Sequence, residues 1–284
     1  MRTAVVVGGG SWGTGFSRFL SDVAATTVAD APFADADLVV FAVPSRAFRS
    51  VVQALPGSSP ILSLTKGLDP ETGDRLSTLV HGRSVAVMSG PNMAEEVVAG
   101  LPGATVIASE DPELARSLQE TINSVAFRVY LNDDLVGVEL CAAAKNVIAL
   151  AAGACDGIGA GDNAKAALIT RGLAEMARLG DAAGGQPDTF FGLAGMGDLI
   201  VTCWHPSGRN RRAGELIARG LSQEEAHREI GQVVEGLTTA PVLRDLARRH
   251  GIEMPITEGV CEVLAGRPLE ELAVELMGRA PTGE

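Results

Sequence analysis

The chain has 284 residues, a formal net charge of −12 at pH 7, 46% hydrophobic residues and only 4% aromatic residues. This length suffices for one or two domains with a sizeable core, which this composition fills mainly with Ala, Val and Leu. The acidic balance argues against nucleic acid as a partner, because a nucleic-acid-binding surface is basic.

The cysteines and the apolar runs bear on location. Four cysteines are scattered without C-x-x-C spacing, which favours neither a zinc site nor a disulfide framework. Met1 leads directly into a predicted strand, and no uninterrupted apolar run reaches the length of a membrane span. We therefore expect a cytoplasmic protein without membrane insertion.

The first predicted element is a buried strand, TAVVV at residues 3–7, followed by a glycine loop. Gly8, Gly10 and Gly13 fit the G-x-G-x-x-G spacing. In a dinucleotide-binding loop these glycines permit a tight turn, let the backbone approach a pyrophosphate, and let the next helix pack closely. A purely structural turn is the alternative. The position between a strand and a predicted helix at residues 14–20 favours the dinucleotide site.

The segment after the loop is short. Only 27 residues separate Gly10 from Leu38, where the strong strand at residues 38–43 begins. A strand–helix–strand unit needs about 30 residues, so the weak run at residues 23–27 leaves room for one strand and not for a full repeat. Asp30 lies 20 residues after Gly10, where an acidic residue can bind the adenosine ribose. A short connecting turn is the favoured interpretation of Asp30, and ribose binding stays open.

Further along, short β-rich runs alternate with helical stretches such as residues 112–122, a pattern that predicts a parallel α/β sheet. These strands are predicted at residues 61–64, 84–88, 104–108 and 127–130. After Asn132 the β signal fades, and helices are predicted at residues 136–152, 163–179, 223–230, 239–250 and 256–265. We expect a dinucleotide-binding domain over residues 1–131 and an all-helical substrate domain over residues 132–284.

The helical half contains two isolated charged groups of interest. Lys145 stands in the apolar run VGVELCAAAKNVIALAAG, where burial lowers a lysine pKa and can poise it as a general acid or base. A structural lysine paired with a carboxylate such as Glu139 is the alternative. Asp198 follows two glycines in GMGDLIVT, and its alternative is an ordinary helix N-cap.

A basic loop follows at residues 207–212, with the sequence SGRNRR. Three arginines and an asparagine suit phosphate recognition, because a guanidinium group matches phosphate oxygens in bidentate fashion. A solvated basic turn is the alternative. His205, just before the loop, is interpreted as a surface residue.

Together these motifs resemble those of the bacterial NAD(P)-dependent glycerol-3-phosphate dehydrogenases. The resemblance runs in order through GGGSWGTG, DADLVVFAVPS, TKGLDPETG, SGPNMAEEV, NDDLVGVEL, AAKNVIALAAG, GDNAKAALITRGLAEM, GLAGMGDLIVT, SGRNRR and GQVVEGLTTA. It implies an α/β Rossmann-like N-terminal domain, lacking one strand here, and an all-α C-terminal domain. It also implies NAD or NADP as cofactor and interconversion of sn-glycerol 3-phosphate with dihydroxyacetone phosphate, or of a closely related phosphorylated polyol and ketone.

The resemblance assigns roles position by position. Lys145 matches the proton donor and acceptor, with Asp198 and Lys66 completing the catalytic set. The substrate-binding positions are Lys66, Gly90, Asn92, Asn146, Thr202, Arg209 and Asn210. The cofactor-binding positions are Gly8, Gly10, Ser11, Trp12, Gly13, Lys66, Ala94, Arg209, Val233 and Glu235.

The chain also departs from the family pattern. A strand with its basic residue near the adenosine is missing, which predicts weak cofactor binding with little choice between NADH and NADPH. Asn92 stands where serine is usual, Gly208 stands where serine is frequent, and LTT follows VEG where an arginine is common. The expected partner is a small phosphorylated substrate, with a homodimer left open. A non-catalytic phosphometabolite-binding protein derived from this family is the alternative function.

Overall fold

The computed structural model describes residues 1, 3–20, 24–27 and 36–278. Asp30 lies outside the described residues, so the structure does not bear on ribose binding by this carboxylate. Within the described chain the strands all precede the long helices, and the last strand ends at Asn132. The division into domains at residue 131 stays a prediction.

Seven strands form one sheet in the described chain. They are β1 (Thr3–Val7), β2 (Ala24–Thr27), β3 (Leu38–Phe41), β4 (Ile61–Ser63), β5 (Val85–Ser89), β6 (Gly103–Ser109) and β7 (Phe127–Asn132). Their spatial order is β2-β1-β3-β4-β5-β6-β7. The weak run of the sequence forms edge strand β2, which pairs in parallel with β1. The described residues contain no strand beyond β2.

The expectation of a wholly parallel sheet is wrong at one pair. Strands β5 and β6 are antiparallel, while every other neighbouring pair is parallel. The connection between them, residues 90–102, contains a helix of only five residues. A parallel crossover needs a dozen or more residues, usually with a full helix, so this connection is at the lower limit for returning the chain across the sheet.

Thirteen α-helices are described. They are α1 (Ser11–Phe16), α2 (Ser45–Ala54), α3 (Ala94–Val98), α4 (Pro112–Ile122), α5 (Leu135–Gly157), α6 (Gly161–Ala182), α7 (Pro187–Phe191), α8 (Asp198–Trp204), α9 (Arg209–Ala218), α10 (Gln223–Ile230), α11 (Glu235–Arg249), α12 (Pro255–Leu264) and α13 (Leu269–Gly278). Helix α1 continues as a 3-10 turn over Ser17–Leu20, and Leu193–Gly197 forms a π-helical turn before α8.

The sheet is covered on both faces, as its strand sequences require. Val6, Val40 and Leu62 point to one face, which packs against α1 and α4. Val39 and Phe41 point to the other face and pack against α2. Alternate residues of a strand face opposite sides, so continuously apolar strands need a layer on each.

Helix α5 is the core of the helical half. It is long and apolar enough to cross a membrane by length and composition, which the expectation from uninterrupted apolar runs overlooked. However, 94% of its most apolar window is buried inside the protein. It is therefore the central helix of a folded domain, and its neighbours α6, α8, α9 and α11 pack around it.

Two glycines bring α5 and α9 unusually close. A Cβ on Gly153 would lie 1.8 Å from the carbonyl oxygen of Arg211, and one on Gly214 would lie 1.9 Å from that of Leu150. Neither distance permits a side chain, so the two backbones touch directly. This contact holds the first half of α9 against the C-terminal third of α5.

Candidate active site

Asp198 lies at the centre of a buried cluster between the sheet and the helical half. Its carboxylate forms ion pairs with two lysines. Oδ1 accepts a hydrogen bond from Lys145 Nζ at 2.5 Å, and Oδ2 accepts one from Lys66 Nζ at 2.8 Å. The π-helical turn before α8 delivers Asp198 as the first residue of that helix. Gly197 is the N-cap and no side chain caps the helix, so the N-cap interpretation of Asp198 is wrong.

Lys145 is poised to exchange a proton near neutral pH. Burial lowers its pKa to about 7, with Asp198 opposing the shift and Lys66 adding to it. Its ammonium group also donates to Thr202 Oγ1 at 2.9 Å. For Asp198, burial favours the neutral acid, but the two lysines outweigh it and hold the carboxyl pKa below its usual value. The aspartate is therefore charged while the lysine can be in either form.

The proposed pairing of Lys145 with Glu139 is wrong. The Glu139 carboxylate instead accepts from Arg75 Nη1 at 2.9 Å and from the Ser77 amide at 2.9 Å. Glu139 and Lys145 stand six positions apart on α5, and the lysine takes its counterion from α8.

The sheet contributes side chains from the carboxyl ends of β4 and β5. Lys66 follows β4 and donates to Asn92 Oδ1 at 3.0 Å. Ser89, the last residue of β5, donates from Oγ to Asp198 Oδ2 at 3.1 Å. Gly90 follows with φ +154°, and a Cβ there would lie 2.9 Å from the Cα of Thr105. Ligands of open α/β sheets bind at this edge.

An asparagine relay joins the cluster to the basic loop. Asn146 donates from Nδ2 to the Lys66 carbonyl at 3.1 Å and accepts on Oδ1 from Asn210 Nδ2 at 2.8 Å. Asn210 Oδ1 in turn accepts from the Gly236 amide at 2.9 Å. Both asparagines are buried, so their orientations are fixed by these partners.

The structure separates the arginines of the basic loop. Arg209 is exposed and donates to the Val233 carbonyl at 3.1 Å. Arg211 is instead engaged by Asp156 at 2.5 Å and by Glu215 at 3.1 Å. Arg209 is therefore the better placed of these two to meet an anion.

His205 lies in the loop between α8 and α9 and is half-buried. Its Nδ1 lies 2.9 Å from Ser207 Oγ, and its Nε2 lies 3.7 Å from Glu96 on α3. Ser207 Oγ also contacts Glu95 of α3 at 3.2 Å. The loop before Arg209 thus rests on the helix that follows the SGP segment and begins at Ala94.

Glu235 links the two halves of the molecule. Its carboxylate accepts from the amide and hydroxyl of Ser45, at 3.1 and 2.6 Å, where α2 begins. Burial raises the pKa of Glu235, although Ser45 and Arg209 oppose the shift. The residue expected to contact cofactor is thus tied to the turn after β3 in this structure.

The glycine loop is tightly packed at its outer glycines and open at its middle glycine. A Cβ on Gly8 (φ +117°) would lie 2.3 Å from the Ala42 carbonyl oxygen, and one on Gly13 would lie 1.8 Å from that of Gly8. A Cβ on Gly10 would meet nothing within 4 Å. The outer glycines are therefore required by packing, while the middle one faces open space at the start of α1. Trp12 on that helix is half-buried and packs against the core of the sheet half.

Comparison with known proteins agrees with this arrangement. The profile of the NAD-dependent glycerol-3-phosphate dehydrogenase C-terminus matches residues 134–274, and that of the N-terminus matches residues 19–115. A glycerol-3-phosphate dehydrogenase [NAD(P)+] of Moorella thermoacetica is 49% identical over 266 residues, covering 90% of this chain and 79% of the relative. The chain belongs to the NAD-dependent glycerol-3-phosphate dehydrogenase family.

Other family members support the same conclusion. A Clostridium perfringens glycerol-3-phosphate dehydrogenase [NAD(P)+] is 47% identical over 250 residues, covering 85% of this chain and 76% of the relative. The crystal structure of a Coxiella burnetii glycerol-3-phosphate dehydrogenase superposes with a TM-score of 0.93 at 35% identity, covering 98% of this chain and 99% of that one. The resemblance, the α/β Rossmann-like and all-α architecture, and the oxidoreductase class are thereby confirmed.

Three polar residues in this region escaped the sequence analysis. Ser45 and Ser89 lie in the motifs AVPS and SGP, so their positions were visible without an assigned role. Thr105 lies inside the apolar strand β6 and carries no motif.

Proposed function

We propose that this chain is an NAD(P)-dependent dehydrogenase that interconverts sn-glycerol 3-phosphate and dihydroxyacetone phosphate. The observation that carries the proposal is the buried Lys145, with a pKa of about 7, which donates hydrogen bonds to Asp198 and Thr202. A second lysine, Lys66, pairs with the same aspartate. The family membership supplies the substrate class, and the comparisons lend the non-catalytic alternative no support.

Lys145 would act as the proton donor and acceptor. In the reducing direction it would protonate the substrate carbonyl oxygen, and in the oxidising direction it would take the hydroxyl proton. Asp198 fixes the ammonium group and keeps it partly charged, since it raises the lysine pKa against the effect of burial. Lys66 would stabilise negative charge on the substrate oxygen, an effect that is strong in a site away from water.

Arg209 and Asn210 would bind the substrate phosphate at the start of α9. A guanidinium group and amide donors suit phosphate oxygens, and holding that end of the substrate would fix the reacting carbon near Lys145. Gly90, Asn92, Asn146 and Thr202 would complete the substrate site, since they surround the two lysines or join them to Asn210.

The glycine loop fits a dinucleotide. Gly8, Gly10, Ser11, Trp12 and Gly13 would hold the pyrophosphate at the start of α1, where the space around Gly10 is open. NAD(P)H, when bound, supplies the hydride. The additional cofactor contacts would come from Lys66, Ala94, Arg209, Val233 and Glu235. Losing a ribose or phosphate contact with the missing strand would cost about 1–3 kcal/mol of cofactor binding.

Further features of this proposal concern context. We expect the dinucleotide-binding and substrate domains to divide near residue 131, a cytoplasmic location, and no contact with nucleic acid or membrane. A homodimer, including one that exchanges domains to compensate for the shortened sheet, is left open and would be tested by the molecular mass from light scattering.

The proposal is tested by following NADH and NADPH oxidation with dihydroxyacetone phosphate, beside calorimetric titration of each cofactor. Unphosphorylated dihydroxyacetone is the matched control, and it should turn over poorly because it cannot engage Arg209. We expect turnover with both cofactors and weak, poorly discriminating binding. Tight cofactor binding without turnover would indicate that the substrate is another phosphorylated ketone. Absence of both binding and turnover would overturn the proposal.

A further inference from the structure

We propose that Thr105 is a positioning residue for the reaction, acting through Asn92 on Lys66. The inference rests on the proposed function, because it concerns the lysine assigned to the substrate oxygen. Thr105 has no hydrogen bond to either lysine among the described contacts, and it stands near the start of a largely apolar strand.

The residues concerned are sealed from water. Thr105 and Ser89 are 0% exposed and Asn92 is 4% exposed. A buried polar group has to find its partners within the protein, because no solvent replaces a lost one. The orientation of each group is therefore determined by its neighbours.

The hydrogen-bond directions leave one arrangement. Thr105 Oγ1 lies 3.1 Å from the Ser89 carbonyl oxygen, which can only accept, so the hydroxyl donates its single hydrogen there. Towards Asn92, also 3.1 Å away, the hydroxyl can then only accept. Asn92 must present its Nδ2 to Thr105, which turns its Oδ1 to Lys66. An ammonium group has donors only and needs this orientation.

The same contacts close a ring around Lys66. Lys66 Nζ and Ser89 Oγ both donate to Asp198 Oδ2, and the Ser89 carbonyl returns to Thr105. Two of the three ammonium hydrogens of Lys66 are thereby engaged, by Asn92 and Asp198. The ring fixes the direction of the third, which the proposed function assigns to the substrate oxygen.

The antiparallel strand makes this contact possible. Ser89, at the carboxyl end of β5, pairs with Val106, so Thr105 near the start of β6 reaches the same edge of the sheet. A parallel β6 would place its beginning at the opposite edge. Gly90 lets the backbones approach, since any Cβ there would press on Thr105.

The first test compares two substitutions. Thr105→Val keeps the shape but removes the hydroxyl, and Thr105→Ser keeps the hydroxyl. We expect T105V to lower kcat/KM for dihydroxyacetone phosphate about tenfold, because a buried amide loses its partner and a charged group loses its fixed acceptor. T105S should retain wild-type kinetics, because it keeps the hydroxyl that orients Asn92. The matched control is Thr257→Val, which removes another fully buried hydroxyl, on α12. It should leave kcat/KM unchanged.

The decisive test repeats the substitution in a Lys66→Met background. If Thr105 acts through Lys66, T105V should cause no further loss of kcat/KM there; an equal loss in both backgrounds would mark a general structural effect and overturn the inference. If T105V fails to fold, Thr105→Ala is measured instead, in both the wild-type and the Lys66→Met backgrounds. A wild-type protein without turnover would refute the proposed function, whereas an active wild type with an equally active T105V would refute this inference alone.

Discussion

Asp198 and Glu175 are both buried in the helical half, each 2% exposed, but their surroundings differ. Asp198 is held by two lysine ammonium groups. Glu175, on α6, accepts from the amides of Ile256 and Thr257 at the start of α12, at 2.6 and 3.3 Å. Burial raises the Glu175 pKa to about 7, whereas the Asp198 pKa is held below its usual value.

The difference teaches that burial does not decide the charge of a carboxyl group by itself. Two backbone amides and the Thr257 hydroxyl satisfy the hydrogen bonding of Glu175 but leave its charge costly, so this group serves as a link between helices. Two lysine ammonium groups make the charge of Asp198 favourable, and one of them, Lys145, is the residue that we propose exchanges a proton with substrate. The region around Glu175 thus serves packing, whereas the region around Asp198 contains the groups that we propose transfer a proton.

The largest loss of activity is expected for Lys145→Met. Removing the proposed proton donor should lower kcat about 10³-fold, within the range that general acid–base groups supply. NADH oxidation with dihydroxyacetone phosphate measures it. Lys165→Met is the matched control, since Lys165 is also 5% exposed and paired with an aspartate, Asp156, at 2.8 Å. Wild-type turnover in K145M would remove Lys145 from the mechanism.

Asp198→Asn should have the second-largest effect, a loss of about 10²-fold in kcat. The substitution removes the negative charge that pairs with both lysines. Asp198 raises the pKa of Lys145, so the variant should also shift the titration of the lysine below pH 7. The pH dependence of kcat measures the shift. An unshifted profile would show that the titrating group is not Lys145.

The wild-type pH profile should change by about tenfold per pH unit on the limb governed by Lys145. Ketone reduction needs the protonated lysine, so its rate should fall as pH rises above about 7. Alcohol oxidation needs the neutral lysine, so its rate should rise through the same range. Profiles that move in the same direction in both reactions would contradict this assignment.

Much of the fold was predictable because it follows from local patterns. The helices predicted at residues 112–122 and 223–230 have the observed limits of α4 and α10. Helix α11 starts at Glu235, ahead of the predicted start at residue 239, because two threonines and Pro241 inside the helix obscure its periodicity. The direction of β6 was mispredicted, since alternation of elements does not reveal strand orientation.

Site positions could be recognised from the sequence where the residue type is unusual for its local surroundings. The lone charge in an apolar helix drew attention to Lys145. The SGRNRR pattern indicated a phosphate-binding loop, and only the family resemblance selected Arg209 and Asn210 within it. The local pattern did not reveal the partner of Lys145, because Glu139 is near in sequence while Asp198 is near in space. The family resemblance, in contrast, grouped Asp198 with this lysine. Thr105 gave no signal at all, since a threonine in a strand is ordinary.

The last expected effect is on stability and not on turnover, and it concerns Glu175→Gln. The folded pKa of about 7 exceeds the ordinary glutamate value of 4.5, so the folded state binds the proton more tightly. Its stabilising effect is therefore full below pH 4.5 and is lost as pH rises through 7, by on the order of 3 kcal/mol. We expect E175Q to reduce this pH dependence in urea unfolding and to leave kcat unchanged.

The control for this variant is Glu224→Gln, at an exposed position in the first turn of α10. It should unfold with the wild-type pH dependence. If E175Q also followed the wild-type curve, Glu175 would be charged in the folded protein and the contrast with Asp198 would fail.

The close contact of α5 and α9 has a consequence for substrate size. Lys145 stands on α5 and Arg209 begins α9, so the spacing of these helices at Gly153 and Gly214 bears on the distance between the proposed proton donor and the proposed phosphate site. Any side chain at either glycine would wedge the helices apart and lengthen that distance. If Lys145 and Arg209 have the proposed roles, the two glycines keep the distance between them suited to a three-carbon phosphate. Increasing that distance would then favour longer substrates.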